Sequence, residues 1–301
     1  MSGVAHPRLS RPDWRATLEL LKPITWFAPI WAFVCGVVSA NLPLGPRWPL
    51  VLTGMLLAGP LVCATSQAVN DWFDRHVDAL NEPGRPIPSG RLPGRTGLVV
   101  ALLWTALSAG ISLLLGPWGF AAAITGLALA WAYSAPPLRL KQNGWWGNLA
   151  CAACYEGLPW ITGYVVLTGA PPPPAVLVMA GLYSLGAHGI MTLNDFKSVN
   201  GDRQMGIRSL PVQLGVPGAA RAAALFMALP QFGVVALLAF WGSHWAAGAV
   251  LALLAVQLGL MLRLLRDPQR LAPWYNATGT TLYVLGMLVS AFALRGLQFG
   301  P

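Results

Sequence analysis

The chain alternates between long apolar stretches and shorter polar segments. A helix needs about 20 mostly apolar residues to cross a bilayer, and nine stretches approach that length. Some are interrupted by proline or glycine, as at Pro29, Gly59 and Pro230, which a membrane helix tolerates when neighbouring helices satisfy the freed backbone groups. We therefore predict an all-α, polytopic membrane protein of about nine transmembrane helices. The predicted spans are 24–42, 49–69, 97–115, 118–135, 148–168, 175–193, 219–241, 245–264 and 276–295.

The basic residues are distributed unevenly between the two sides of this predicted bundle. Of the 19 Lys and Arg residues, only Arg47 and Arg295 fall on the side of the odd-numbered loops. The other 17 fall in the N-terminal segment and the even-numbered loops, and such an excess is typical of the cytoplasmic side. We therefore predict a cytoplasmic N-terminal segment, 1–23, and a C-terminus on the opposite side. The long second and sixth loops are then cytoplasmic.

Composition excludes several classes of protein. Charged residues make up 10% of the chain and its mean hydropathy is +0.58, whereas a soluble domain carries about 25% charged residues. This argues against a cytosolic enzyme or a DNA-binding domain. The net charge of +9 is explained by membrane orientation, and we expect no nucleic-acid partner.

A short polar motif occurs twice. Residues 70–78 and 194–202 both fit Asn-Asp-x(6)-Asp, and each is followed by Arg-x-[Ile/Leu]-Pro. The copies are separated by four predicted helices, which suggests an internal repeat. We therefore predict one transmembrane domain, 24–301, built from two four-helix repeats and a ninth helix. The predicted parts are repeat one at about 24–135, repeat two at about 148–264 and the ninth helix at about 276–295.

The two motifs contain half of the chain's ten acidic residues. On a continuing helix the three acids of the first copy, at i, i+3 and i+7, share one face, as do the two of the second copy at i and i+7. Ser198 stands where the first copy has Asp74. Carboxylates favour hard cations such as Mg²⁺, which proteins commonly hold together with substrate phosphates. The pattern predicts metal–phosphate chemistry at one membrane surface.

These motifs resemble the two aspartate-rich motifs of the UbiA superfamily of intramembrane prenyltransferases. Longer strings resemble the chlorophyll and bacteriochlorophyll synthases within that superfamily, and the resemblance extends from about residue 15 to 297. Ser198 also agrees with these pigment synthases. The strings are KPITW (22–26), NDWFDRHVDALNEPGRPIPSGR (70–91), YSAPPLRLKQNGWWGN (133–148), YEGLPWITG (155–163) and NDFKSVNGDRQMGIRSLPV (194–212).

The resemblance implies an enzyme that transfers a C20 prenyl group, geranylgeranyl or phytyl, from its diphosphate to the propionate of a pigment, with Mg²⁺ as cofactor. It implies catalytic metal ligands at Asp71, Asp74, Asp78, Asp195 and Asp202, assisted by Asn70 and Asn194. It further implies substrate-binding roles for Lys22, Arg85, Tyr133, Arg139, Lys141, Lys197, Arg203 and Arg208. The expected location is a bacterial inner membrane or photosynthetic intracytoplasmic membrane, with the active-site loops in the cytoplasm.

Some alternatives stay open at the level of sequence. Strings such as NDWFDRHVDALNEP favour bacteriochlorophyllide as the acceptor, but chlorophyllide is an alternative, as is a quinone or haem prenyltransferase. A transporter is a more distant alternative, since its ionisable residues would lie deep in the spans. Glu156 lies within the fifth predicted span, where it either contacts substrate or makes a structural hydrogen bond. His188 is either a ligand of the pigment's metal or a packing residue.

Overall fold

The structure is a computed structural model that describes residues 13–297. Residues 1–12 of the predicted N-terminal segment, with Arg8 and Arg11, therefore lie outside the described part. Every long element within residues 13–297 is helical, as predicted. The helices are α1 (Trp14–Leu21), α2 (Phe27–Ser39), α3 (Trp48–Leu56), α4 (Ala64–Asn81), α5 (Thr96–Ser112), α6 (Gly116–Ser134), α7 (Gly144–Ala152), α8 (Leu158–Thr168), α9 (Pro174–Asp195), α10 (Val199–Gln204), α11 (Leu210–Phe240), α12 (His244–Leu264) and α13 (Pro268–Gly296).

Two pairs of these helices are joined through π-helical turns. Leu57–Cys63 links α3 to α4, and Ala153–Gly157 links α7 to α8. Pro60 lies in the first of these turns, where its missing N–H prevents the regular ladder of hydrogen bonds. The indole N–H of Trp104 donates to the Pro60 carbonyl at 3.0 Å. The proline thus leaves the long segment continuous while changing its pitch.

Six helical segments in the described part are long and apolar enough to cross a membrane. A seventh is reached if the bent pair Trp14–Thr25 and Phe27–Ser39 counts as one span. The predicted apolar stretches all lie on helices, but the count of nine spans stays a prediction. Two helical segments begin ahead of their predicted spans, α11 at Leu210, with a kink at Gly215 (φ +71°), and α13 at Pro268. Their first turns are too polar or too rich in proline and glycine to be recognised by hydropathy.

Three of the largest fully buried side chains pack where α8, α9 and α13 meet. Trp160 stacks on Tyr183 with ring centroids 5.7 Å apart, and Tyr183 meets the edge of Tyr283 at 5.4 Å. The Tyr183 hydroxyl also lies 2.8 Å from that of Ser290. Because these rings are fully buried and their polar atoms have partners, they fix the three helices against one another.

Glycines allow α2 and α8 to approach to backbone contact. A Cβ atom at Gly163 would overlap the carbonyl oxygen of Phe33, and one at Gly36 would overlap that of Trp160. Small residues at such a crossing are typical of helix pairs in membranes. This contact holds α8, and with it one wall of the cavity described below, against α2.

We expect Gly163→Ala to destabilise the protein, because the added methyl group must displace backbone rather than a flexible side chain. The cost should be about 1–3 kcal/mol and should lower the apparent unfolding temperature in detergent. Gly110→Ala on α5 is the matched control, since its Cβ would meet open space. Equal unfolding temperatures for the two variants would contradict the proposed close contact.

Candidate active site

The first Asn-Asp motif lies on α4, which continues to Asn81, so the prediction of a continuing helix is confirmed for this copy. Asp71 is only 2% exposed. Its Oδ1 lies 2.7 Å from Nζ of Lys22 and 3.4 Å from Nη1 of Arg85. The same Nη1 lies 2.9 Å from Oδ2 of Asp78. One guanidinium therefore neutralises two acids of the motif, and a lysine from the start of the chain completes the group.

Arg85 itself is held by a further acid. Its Nε and Nη2 donate to the two oxygens of Glu82 at 2.7 and 2.9 Å. Burial disfavours the charged form of Arg85, but Glu82, Asp71 and Asp78 outweigh that effect and raise its pKa. In return, the hydrogen bonds from Arg85 lower the pKa of Glu82. Glu82 was not predicted as a site residue, although its position three residues before Arg85 could have indicated the pair.

Asp74 faces a different pair of cations. Its Oδ1 lies 2.6 Å from Nζ of Lys141 and 3.5 Å from Nη2 of Arg139. Both belong to the segment 135–143 that joins α6 to α7. The Lys141 side chain is nearly buried, and this burial lowers its pKa while Asp74 opposes the shift. The acids of the first motif are thus divided between two groups of basic residues.

The second motif is not on a continuing helix, and the predicted shared face of Asp195 and Asp202 is wrong in that respect. Helix α9 ends at Asp195 and α10 begins at Val199. The Ser198 hydroxyl lies 3.1 Å from the Asp195 carbonyl and 3.0 Å from Oδ2 of Asp202. Serine side chains compete with helix hydrogen bonds in this way. The residue that replaces the third acid therefore stabilises the break, and burial raises the pKa of Asp202.

A buried amide orients the first acid of this second motif. Nδ2 of Asn148 lies 3.2 Å from both Oδ2 of Asp195 and the hydroxyl of Thr192. Sequence reasoning missed Asn148, although a polar residue in an apolar helix that must pair with something was a usable signal.

The two motifs are joined through their loops. The Arg208 N–H donates to the Gln142 carbonyl at 2.9 Å, and the Gly144 N–H donates to the Arg208 carbonyl at 2.8 Å. The segment that carries Arg139 and Lys141 is therefore fixed to the segment after α10. Tyr133 lies in the last turn of α6, directly before this segment, and lines the cavity described below. Together these contacts bring both motifs to one region.

Other predicted site residues are placed less centrally. Asn194 is exposed and its Oδ1 accepts from Nδ2 of Asn276 at 3.1 Å. Lys197, Arg203 and Arg208 have exposed side chains near the motifs. Their predicted roles in diphosphate binding stay predictions.

Glu156 and His188 are both buried. Glu156 is 3% exposed in the π-helical turn Ala153–Gly157, and its Oε2 has no hydrogen-bond partner within residues 13–297. Its predicted contact with substrate stays a prediction. The His188 ring stacks on Phe226 with centroids 4.4 Å apart, and its Nε2 lies 3.2 Å from the Trp145 carbonyl. These contacts favour the packing role for His188.

A cavity of about 210 Å³ begins beside the motifs and runs between α4, α6 and α8. Along the segment of α3 and α4 it is lined from Asn70 back to Gly54, which is about 24 Å of helix at 1.5 Å per residue. Most of its lining is apolar, with Leu57, Val62 and Leu158 among the contributors. Polar side chains are concentrated toward the Asn70 end. An elongated apolar group with a charged head could bind with its head at the motifs.

The acids suit Mg²⁺ by their chemistry. The Oδ2 atom of Asp71 is buried without a hydrogen-bond partner in the described residues, and carboxylate oxygens are the donors that Mg²⁺ prefers. Within residues 13–297, however, no three His, Cys, Asp or Glu side chains converge to form a metal site. The five predicted metal ligands therefore stay a prediction.

Comparison with known proteins places this arrangement in a family context. Residues 25–294 match the UbiA prenyltransferase family. The chain is 60% identical to the bacteriochlorophyll synthase 33 kDa chain of Cereibacter sphaeroides over 98% of each chain. It is 36% identical to the chloroplastic chlorophyll synthase of Oryza sativa subsp. japonica, over 97% of this chain and 80% of that one.

Solved structures share the fold. A structure described as concerning digeranylgeranylglyceryl phosphate synthase in membranes aligns with a TM-score of 0.69 at 19% identity, covering 93% of this chain and 98% of that one. A UbiA homolog from Archaeoglobus fulgidus bound to GPP and Mg²⁺ aligns with a TM-score of 0.61 at 18% identity, covering 93% and 99%. At this identity the likeness shows the fold alone.

We expect Arg85→Ala to destabilise the protein by about 2 kcal/mol or more, because it leaves two buried carboxylates without their shared cation. The matched control is Arg91→Ala, which removes an equally well-formed but exposed pair with Glu19 and should change stability little. The measurement is the apparent unfolding temperature in detergent. Adding Asp78→Asn to Arg85→Ala should recover part of the loss, and a double variant less stable than Arg85→Ala would contradict the assignment.

Proposed function

The chain belongs to the UbiA prenyltransferase family, and we propose that it transfers a C20 prenyl group, geranylgeranyl or phytyl, from its diphosphate to the propionate carboxylate of bacteriochlorophyllide. The observation that carries this proposal is the apolar cavity that begins beside a cluster of acids and bases. The apolar tail would occupy the cavity, and the diphosphate would lie at its charged end. Much higher identity to a bacteriochlorophyll synthase than to chlorophyll synthases supports the choice of pigment.

The diphosphate would be bound by the basic residues beside the first motif. Lys22, Arg85, Arg139 and Lys141 already lie around its acids, and a guanidinium can hold two phosphate oxygens at once. Bound Mg²⁺ would stabilise the negative charge that develops on the leaving diphosphate. The residues that would hold the metal are Asp71, Asp74, Asp78, Asp195 and Asp202, with Asn70 and Asn194 in support.

The reaction then needs no nucleophile from the protein. A propionate has a pKa of about 4 or slightly above, so it is ionised at neutral pH and attacks C1 of the prenyl group directly. The new C–O ester bond forms as the bond from C1 to the diphosphate oxygen breaks, and the diphosphate leaves with that electron pair. No proton has to be moved. The protein's task is to exclude water from C1, which the apolar lining of the cavity performs.

Chlorophyllide is the second candidate acceptor. It is supported by the 36% identity to a chlorophyll synthase over nearly the whole chain. Family membership favours either pigment reaction over the transporter considered from sequence.

We further propose that the protein is embedded by nine spans in a bacterial inner membrane or photosynthetic intracytoplasmic membrane, with the active-site loops cytoplasmic. As one straight helix, Thr96–Ser134 would be about 58 Å long, twice the hydrocarbon thickness, and Gly116 with φ +73° interrupts it. The six apolar segments become seven when α5 and α6 are counted separately. The bent pair Trp14–Thr25 and Phe27–Ser39 is the eighth span, and Gly144–Thr168 is the ninth. The division into two four-helix repeats and a ninth helix follows from this count.

We expect Asp71→Asn and Asp195→Asn to reduce prenyl transfer at least about 100-fold, because each removes a charge needed to hold the metal and diphosphate. The assay supplies bacteriochlorophyllide, geranylgeranyl diphosphate and Mg²⁺ to purified protein and measures the esterified pigment. Asp267→Asn is the matched control, since that acid only caps α13, and EDTA should abolish activity. Near-normal transfer by either motif variant at saturating Mg²⁺ would rule out its assigned role.

We expect a reporter at the C-terminus of the full chain to lie outside the cytoplasm, because nine spans from a cytoplasmic N-terminus end there. Fused alkaline phosphatase should be active and fused green fluorescent protein dark, with an N-terminal fluorescent fusion as the bright control. A bright C-terminal fusion would indicate an even number of spans.

A further inference from the structure

The end of the cavity nearest the motifs is lined by uncharged hydrogen-bonding side chains, which we call the polar neck. Its members are Cys63, Ser66, Gln67, Asn70, Tyr133 and Tyr155. Gln67 and Asn70 lie on α4 one to two turns before Asp74, so the helix leads from the neck to the charged cluster. The roles proposed so far place Asn70 beside the metal and Tyr133 with the substrates, but they give no task to Tyr155 and Gln67.

Tyr155 is the best-organised member of the neck. Nε2 of Gln67 donates to its hydroxyl oxygen at 2.9 Å, and Sγ of Cys63 lies 3.5 Å from the same oxygen. Cys63 is in turn held near Thr25 at 3.4 Å. Because Gln67 uses Tyr155 as an acceptor, the Tyr155 hydroxyl keeps its own proton for another partner. An oxygen atom of a ligand that enters the cavity can accept a hydrogen bond from this hydroxyl.

The charge of the surroundings defines that group further. No Lys, Arg, Asp or Glu lines the cavity among the described residues. The cations lie beyond the neck, against Asp71 and Asp74. Two anions meet in the proposed reaction, the diphosphate and the acceptor's carboxylate. If both depended on the same cations they would compete, whereas a neutral neck beside a charged cluster can bind one without displacing the other.

Neutral donors also preserve reactivity. An ion pair with Lys or Arg would hold the negative charge strongly on the carboxylate oxygen that must attack C1. Hydrogen bonds from a phenol and an amide replace those lost from water, and each binds the carboxylate more weakly than an ion pair with Lys or Arg would. They therefore orient a carboxylate and compensate its desolvation while leaving an electron pair available.

We propose that Tyr155, positioned by Gln67, donates a hydrogen bond to the carboxylate of the prenyl acceptor, with Asn70 and Tyr133 as the neighbouring donors. This inference rests on the proposed function, since it names where the acceptor of that reaction binds. Tyr155 contacts the reacting group, and Gln67 is a positioning residue that acts through Tyr155.

The test compares Tyr155→Phe and Gln67→Leu with the matched control Tyr164→Phe, a tyrosine of α8 outside the cavity lining. Binding of bacteriochlorophyllide is measured by pigment fluorescence without prenyl diphosphate. Its propionate methyl ester is the second probe, because the ester lacks the negative charge. The KM for prenyl diphosphate is measured separately.

We expect Tyr155→Phe to raise the Kd for the free acid about tenfold, the factor that corresponds to one net hydrogen bond. The Kd for the methyl ester should rise less than about threefold, since a neutral ester oxygen is a weaker acceptor. Gln67→Leu should raise the Kd values for both ligands as Tyr155→Phe does, but by smaller factors. Tyr164→Phe should change neither Kd. The KM for prenyl diphosphate should be unchanged in all three variants, because the cations proposed to bind the diphosphate lie beyond the neck.

Equal losses for the acid and its ester would overturn the carboxylate assignment, as would an unchanged Kd for the acid in folded Tyr155→Phe. If that variant does not fold, Gln67→Leu decides in the same way. These failures leave the wild-type protein able to esterify the pigment. A wild-type protein that forms no ester would instead contradict the proposed function, and the inference with it.

Discussion

The structure depends on the neutralisation of carboxylates buried at the end of an apolar bundle. Asp71 is 2% exposed and Asp78 is 7% exposed on a helix that forms a cavity wall. Burying a carboxylate costs several kcal/mol unless cations or donors lie against it. Lys22 and Arg85 provide this compensation, one from the segment after α1 and the other from the loop after α4. The positions of α1 and of the loop after α4 follow from that requirement, and Arg91 of this loop adds an exposed pair with Glu19.

The same neutralisation links the two halves of the chain. Asp74 is compensated from the segment 135–143, and that segment forms backbone hydrogen bonds with Arg208 after the second motif. A ligand that replaced an ionic partner of the first motif would therefore affect contacts that extend to the second motif. If Mg²⁺ took the acids and a diphosphate took the bases, the total charge would stay nearly balanced, because each ionic partner would be replaced by one of like sign.

Sequence predicted the helices and their general order, since each apolar stretch must be buried or face lipid. It also predicted the helical face of Asp71, Asp74 and Asp78, because that depends only on spacing along one helix. The division of this face between two groups of cations depends on contacts from distant segments, and spacing does not contain them. The break after Asp195 was missed because the repeat suggested equal structure, although Ser198 replaces an acid with a residue that bonds its own backbone.

Polar residues without charge were the hardest to interpret from sequence. Gln67 lies near the end of the second predicted span and Asn148 at the start of the fifth, where an uncharged polar residue is as often structural as functional. Their partners are 88 and 47 residues away, so only the fold separates the two roles. Asn148 contacts an acid and helps to fix the charged cluster. Gln67 contacts a phenol at the cavity wall, where charge is absent among the described residues. In the proposed reaction, the separation of a neutral region from a charged one, only a turn or two apart on α4, would let one site hold two anions in different states, one stabilised as it leaves and one kept reactive until it attacks.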